Sequence, residues 1–264
     1  MTEEFCTLSW PEESIALITL NRPDKLNAIN VEMLQQWREI LEQLEDSSKA
    51  PRCLLVTGAG RAFSSGADIR ATMKVAKEHN GDLGSILSAY YNPLILAIQK
   101  LPFPVISVVN GLAVGVGFSF ALHADIIIAS EDAYFWANFA EIGLVPDGAM
   151  SFMLPRFMGY HTAAAHILLA EKMTAIEAKS CGLVYQLYGK DILMRKAIEL
   201  AMRMSQHSKV ANQETKSLLR EGMDRTFKEQ IQAESISQAR AGYSDEAKKA
   251  IMNFIIHGNK QKGR

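Results

Sequence analysis

The chain has 264 residues, with 28 basic against 29 acidic side chains and a formal charge of -1. That length suits one large domain, or one domain with an appendage, and the charge balance excludes a global field for holding nucleic acid or an anionic membrane. An anionic small ligand would need local basic residues instead.

Cys6, Cys53 and Cys181 are too few and too scattered for a disulfide framework or a zinc knuckle, and all three read as reduced and structural. The start, Met1-Thr-Glu-Glu-Phe5, is acidic and matches neither a secretory signal nor an Arg-rich transit peptide. The end, Gln261-Lys-Gly-Arg264, is not a peroxisomal tripeptide. No apolar run reaches the roughly 18 residues of a membrane span. A soluble, cytoplasmic protein with no membrane partner is the expectation.

In chain order, Ile15–Leu20, Cys53–Thr57, Val105–Val109 and Ile126–Ala129 are continuous apolar runs that predict buried strands. Between the first two, Leu34, Trp37, Leu41 and Leu44 recur at helical spacing behind Asn30, a candidate N-cap. Thr174-Ala-Ile-Glu177 is a capping box, Gly182 can end that short helix, and Leu183–Leu187 predicts a further strand. From about Asp191 onward the pattern turns helical and charged, with no proline. Two regions follow, an α/β body over 1–190 and a helical region over 191–264. The segment Asp224–Ala241 has few apolar positions, whereas Ala250, Ile251, Phe254 and Ile255 form a stripe. It can face a partner subunit or dock on its own core.

The glycines carry the next signal. A strand ending at Val109, then Asn110-Gly111, Gly115 and Gly117 before the helical stretch Phe118–His123, makes a tight turn at a helix N-terminus. Free backbone N–H groups there suit an anion or an oxyanion. A dinucleotide fingerprint would need glycine where Phe120 stands, and Gly58–Ser65 lacks the Gly-Lys pair of a phosphate loop.

Four segments occur in order: Asn21-Arg-Pro-Asp-Lys-Leu-Asn-Ala28, Ala62-Phe-Ser-Ser-Gly-Ala-Asp-Ile69, Asn110-Gly-Leu-Ala-Val-Gly-Val-Gly117 and Gly143-Leu-Val-Pro-Asp-Gly148. Leu154-Pro-Arg156 and Met173–Ala178 follow them. Together they resemble the crotonase superfamily, the enoyl-CoA hydratase/isomerase family, along essentially the whole chain. The resemblance implies an α/β spiral of ββα units, a C-terminal helical region used to build a homotrimer or homohexamer, and an acyl-CoA thioester as ligand, with coenzyme A part of the substrate and no separate cofactor.

Carried over residue by residue, the resemblance implies oxyanion N–H donors at Ala67 and Val116. It places the acyl-CoA against Lys25, Leu26, Ala28, Ser65, Gly66, Ala67, Asp68, Ile69, Gly115, Val116, Phe139 and Leu144. Asp68 is also read as bracing its loop. Family hydratases hold water with two glutamates, whose positions here are Ser119 and Phe139, so both acids are absent. Glu141 lies two residues beyond Phe139 and reads as solvated or salt-bridged.

Asp147 matches the acid of several double-bond isomerases in the family, and the chain looks most like the ring-epoxide isomerases of phenylacetate breakdown. The other reading of Asp147 is a Pro-Asp-Gly turn former. As a catalytic base it would move one proton between two carbons, with Phe139, Leu144 and Val145 excluding water and raising its pKa. Three functions stay open: an isomerase, a hydratase recruiting Glu141, and an acyl-CoA-binding module without turnover. Arg22, Lys25 and Lys260 are either CoA-phosphate contacts or surface charges, and Tyr90 and Tyr91 either line an acyl pocket or pack. His123, His161, His166, His207 and His257 lack metal-ligand company, so no metal is expected.

Overall fold

Strands that are apolar at every position need cover on both faces, and the computed structural model, which describes residues 3–46 and 50–261, supplies it. Met1, Thr2 and Lys262–Arg264, on which the readings of the termini partly rest, lie outside the described residues. So do the side chains of His257 and Lys260.

The strands are β1 (Cys6–Glu12), β2 (Ile15–Leu20), β3 (Cys53–Gly58), β4 (Ala62–Ser64), β5 (Val105–Val109), β6 (Leu112–Val114), β7 (Ile126–Ser130), β8 (Tyr134–Trp136), β9 (Lys172–Thr174) and β10 (Gln186–Tyr188). Six form one sheet in the order β1-β2-β3-β5-β7-β10, and β4-β6-β8-β9 form a second. All pairs are parallel except β1 with β2 and β8 with β9.

Helices α1 (Val31–Asp46), α2 (Ile69–Glu78), α3 (Leu83–Ile86), α4 (Asn92–Lys100), α5 (Val116–Leu122), α6 (Met150–Met158), α7 (Tyr160–Leu168) and α8 (Ala175–Ser180) belong to the body. The C-terminal helices are α9 (Leu193–Ser205), α10 (Lys209–Glu221), α11 (Phe227–Tyr243) and α12 (Asp245–Gln261). The ββα repeat is explicit. Units β3-β4-α2 and β5-β6-α5 each give a long strand to the large sheet and a short one to the small sheet, then a helix. The β7-β8 unit ends instead in a 3-10 turn over Asn138–Ile142.

Alternation along the strands divides the core in two. Ile15, Cys53, Leu55, Ile106, Val108 and Ile128 face Leu193, Ala197 and Ala201 of α9. The intervening Ala16, Ile18, Leu54, Val56, Val105 and Ile127 face the other helices. The helical pattern after residue 190 therefore begins with a helix that covers one face of the large sheet. Ion pairs attach the next helix: Asp125 meets Lys216 at 2.9 Å and Arg220 at 2.8 Å, both from α10.

Local signals act as read. Asn30 accepts from the Met33 N–H at the start of α1, and Thr174 with Glu177 forms the capping box of α8. The strand expected over Leu183–Leu187 is corrected. Leu183 and Val184 bond back to the Ala178 carbonyl behind the left-handed Gly182, and pairing with β7 begins only at Gln186. The apolar stripe of α12 does not dock on its own core: Ile251, Phe254 and Ile255 are exposed. None of the described helices is long and apolar enough to cross a membrane.

Candidate active site

Two loops at the ends of β4 and β6 meet back to back. A Cβ on Gly66 would lie 2.8 Å from the Val114 carbonyl oxygen, and one on Gly117 would lie 2.6 Å from the Ser64 side chain. Only glycine permits this approach, and at Gly66 a φ of +91° adds a second reason. The segment after Leu26 lies alongside the first loop: Ser65 donates to the Leu26 carbonyl, Ile29 to Gly66, and Asp68 to Ile29. In a parallel bridge of this kind the Ala67 N–H points away from Ile29. Val116 is the first residue of α5, whose opening N–H groups have no partner within the helix. It is 2% exposed, so its valine side chain packs inward.

Of the other residues expected at an acyl-CoA site, Leu26, Ala28, Ser65 and Gly115 lie in these same loops. Lys25 is exposed on the 3-10 turn Pro23–Lys25, and Ile69 is exposed at the start of α2. The Phe139 ring is buried toward Gly115, with its Cζ 4.0 Å from where a Cβ would stand.

Asp68 is committed to structure. It accepts from the Ala71 N–H as the N-cap of α2 and pairs with Arg22 at 3.0 Å. Burial alone would raise its pKa, but the Ala71 and Arg22 hydrogen bonds and the Arg22 charge outweigh that and hold it below the usual carboxylate range. Arg22 is thus corrected from a surface or phosphate-binding cation to the partner of a largely buried pair that ties β2's end to the 62–69 loop.

Asp147 stands on a turn whose next two residues, Gly148 and Ala149, are left-handed, with φ of +57° and +59°. The turn rests on α5: Ser119 Oγ donates to the Asp147 carbonyl at 3.0 Å, and a Cβ on Gly148 would meet Ser119 Cβ at 2.6 Å. Ser119 therefore touches the turn that carries the aspartate. Asp147 Oδ1 is buried with no hydrogen-bond partner. Burial pushes the carboxyl up to about 7, against the lowering effect of its own N–H and the Ser119 hydroxyl.

The expected shield is partly wrong. Leu144 and Val145 are 42% and 79% exposed, and the cover comes from beneath, where Ser119 and Ile95 pack against the turn. Tyr91, whose phenol burial raises to about 12, senses the Asp147 charge. It closes a π-helical turn over Leu87–Tyr91 and stacks on Phe120 at 6.4 Å. Such turns recur at functional sites. Tyr90 packs edge-on against His79. Glu141 is exposed. Among the described residues no group of three or more His, Cys, Asp or Glu is placed to hold a metal.

His123, read from the sequence only as lacking metal-ligand company, is buried and bonded to the Gly148 carbonyl at 2.8 Å. A histidine just past the apolar stretch Phe118–Leu122 is the sign the sequence offers.

The chain and its fold match known proteins. Residues 11–262 match the family model described as Enoyl-CoA hydratase/isomerase. The 1,2-epoxyphenylacetyl-CoA isomerase of Escherichia coli K12 is 34% identical over 254 residues, 96% of this chain and 97% of that protein. The 2,3-dehydroadipyl-CoA hydratase of the same organism is 32% identical over 213 residues, 81% of each chain. An enoyl-CoA hydratase structure from Bacillus anthracis superposes with a TM-score of 0.89 at 24% identity, over 96% of this chain and 97% of that one, a likeness of fold. The chain belongs to the enoyl-CoA hydratase/isomerase family of the crotonase superfamily, enzymes that act on acyl-CoA thioesters.

Proposed function

We propose that the protein is an acyl-CoA double-bond isomerase in which Asp147 carries one proton between two carbons. The observation behind this reading is the half-buried Asp147 carboxyl, with Oδ1 buried and without a hydrogen-bond partner and its pKa raised to about 7; the family resemblance puts the two hydratase acids at Ser119 and Phe139, which carry no carboxylate. Hydration needs an ordered water, and these two positions offer no carboxylate to hold it. Glu141, the candidate substitute, is exposed.

The thioester oxygen accepts hydrogen bonds from the Ala67 and Val116 N–H groups. Ionised Asp147 removes a proton from C2 of a 3-enoyl thioester, the negative charge moves to the thioester oxygen as an enolate, and protonated Asp147 returns the proton at C4. The double bond then lies between C2 and C3, in conjugation with the carbonyl. Each N–H donor contributes about 3 kcal/mol to the transition state. Because the base must be ionised, turnover rises with pH through about 7 and then levels.

The substrate is an unsaturated fatty or ring-derived acyl-CoA, and the likeness to the E. coli ring-epoxide isomerase supports the ring-derived form. Exposed apolar side chains on α11 and α12, Phe227, Tyr243 and Phe254 among them, support assembly into a homotrimer or homohexamer. The cytoplasm is the proposed location.

Conversion of a cis-3-enoyl-CoA to its trans-2 isomer, followed by absorbance of the conjugated thioester in wild type and Asp147→Asn, tests the reading. Turnover that collapses in the variant supports it. Hydration of a trans-2-enoyl-CoA by wild type, without isomerisation, overturns it.

A further inference from the structure

The turn carrying Asp147 is held by a histidine that the proton shuttle itself does not use. His123 follows α5 and is almost fully buried, and both ring nitrogens have partners: Nε2 the Gly148 carbonyl at 2.8 Å, Nδ1 the Gln99 Nε2 at 2.7 Å. A carbonyl only accepts, so Nε2 carries the hydrogen. Nδ1 is then the acceptor, and the Gln99 amide donates to it.

This fixed neutral tautomer is anchored in turn. Arg220 of α10 donates to the His123 carbonyl at 2.8 Å and to the Gln99 carbonyl at 2.7 Å, and its guanidinium pairs with Asp125. Burial disfavours a second proton on the ring, and the Arg220 charge adds to this. A continuous set of hydrogen bonds therefore runs from α10 through Gln99 and His123 to the residue after Asp147.

We infer that His123 is a positioning residue for Asp147, holding the Gly148 carbonyl so that the turn stays seated on Ser119 and water is kept from the buried carboxylate oxygen. This rests on Asp147 being the base. A released turn would solvate the carboxyl and move it relative to the bound thioester. Both changes weaken a base that works by burial and alignment.

The test uses the full-length enzyme with His123→Phe, which keeps a ring but no donor, and His123→Gln, which keeps an N–H for Gly148. Asp147 protonation is read from its infrared carboxyl band, each enzyme being measured against the same enzyme carrying Asp147→Asn. The ionisable groups around this region are Tyr91 on the Asp147 side, and Arg220, Asp125 and Lys216 on the His123 side. All are retained.

His123→Phe is expected to lower the Asp147 midpoint by about one pH unit and kcat on cis-3-hexenoyl-CoA by roughly 10- to 100-fold, with KM changed by no more than about twofold. His123→Gln is expected to restore most of both. If His123→Phe does not fold, Gln99→Leu, which frees the ring to turn, is read by the same two measures. An Asp147 midpoint unchanged in the folded variant, or an equal loss in His123→Gln and His123→Phe, overturns the inference. An active Asp147→Asn enzyme counts against the base itself, whereas an inert Asp147→Asn enzyme beside an unaltered His123→Phe enzyme counts against His123 alone.

Discussion

Replacing Asp147 with asparagine should reveal a stability cost that grows with pH. Burial raises the carboxyl from 3.8 to about 7, so between those values the folded protein keeps a proton that the unfolded chain has lost. Stability from this group is fully present below pH 3.8 and is lost as pH rises through about 7. From about pH 5 to about pH 8 the loss is about 3 kcal/mol, two pH units below the folded midpoint at about 1.4 kcal/mol each. His123 acts in the opposite sense. Burial lowers it from 6.5 to about 4, so its neutral form contributes stability that disappears as pH falls through that window. Over the shared range the two slopes oppose each other, and the wild-type curve alone stays nearly flat with respect to both. Urea unfolding of wild type and Asp147→Asn at about pH 5 and about pH 8, at one protein concentration because assembly shifts apparent stability, isolates the carboxyl. The variant should gain about 3 kcal/mol on wild type between the two conditions. A difference that is the same at both pH values refutes the buried, protonated carboxyl, and with it the physical basis for a base poised near neutrality.

Val116→Pro should remove an oxyanion donor while leaving α5 intact. Proline is tolerated at the first helical position, and Gly115, at φ +52° and ψ -129°, can precede it. Turnover of the cis-3-enoyl thioester should fall by about 100-fold or more with little change in thermal midpoint, and an unaltered kcat would exclude that N–H from the reaction. Asp125→Asn leaves Lys216 and Arg220 facing each other without their carboxylate. It should cost about 3 kcal/mol or more, read from the urea midpoint. The Lys216 ammonium is already lowered to about 8 by burial, despite the opposing pull of Asp125.

Much of the body was legible in local order. Strands buried on both faces are uninterrupted apolar runs, so β2, β3, β5 and β7 could be read within a residue or so of their ends. Asn30 and the Thr174–Glu177 box act within one turn of helix, and the glycines at 66, 115 and 117 stand out in the chain, the structure showing close approach at 66 and 117 and a positive φ at 66 and 115. The absence of carboxylates at 119 and 139 is likewise a fact of the chain alone.

Other features exist only once distant segments meet. Strands β4, β6, β8 and β9 are three residues each, too short for any period to show, and are defined by their neighbours. Arg22 and Asp68 are 46 residues apart, and Ser119 and Asp147 are 28 apart, so neither contact leaves a local trace. The family resemblance could name Asp147 as a candidate but not its environment. Whether a carboxyl is held near 3.8 or near 7 depends on the water removed around it, and that is set by the packing of Ser119 from α5 and Ile95 from α4 against one loop. The sequence by itself determined which groups are available. Tertiary packing decided which of them are buried, which are paired, and which acid keeps one oxygen buried without a partner.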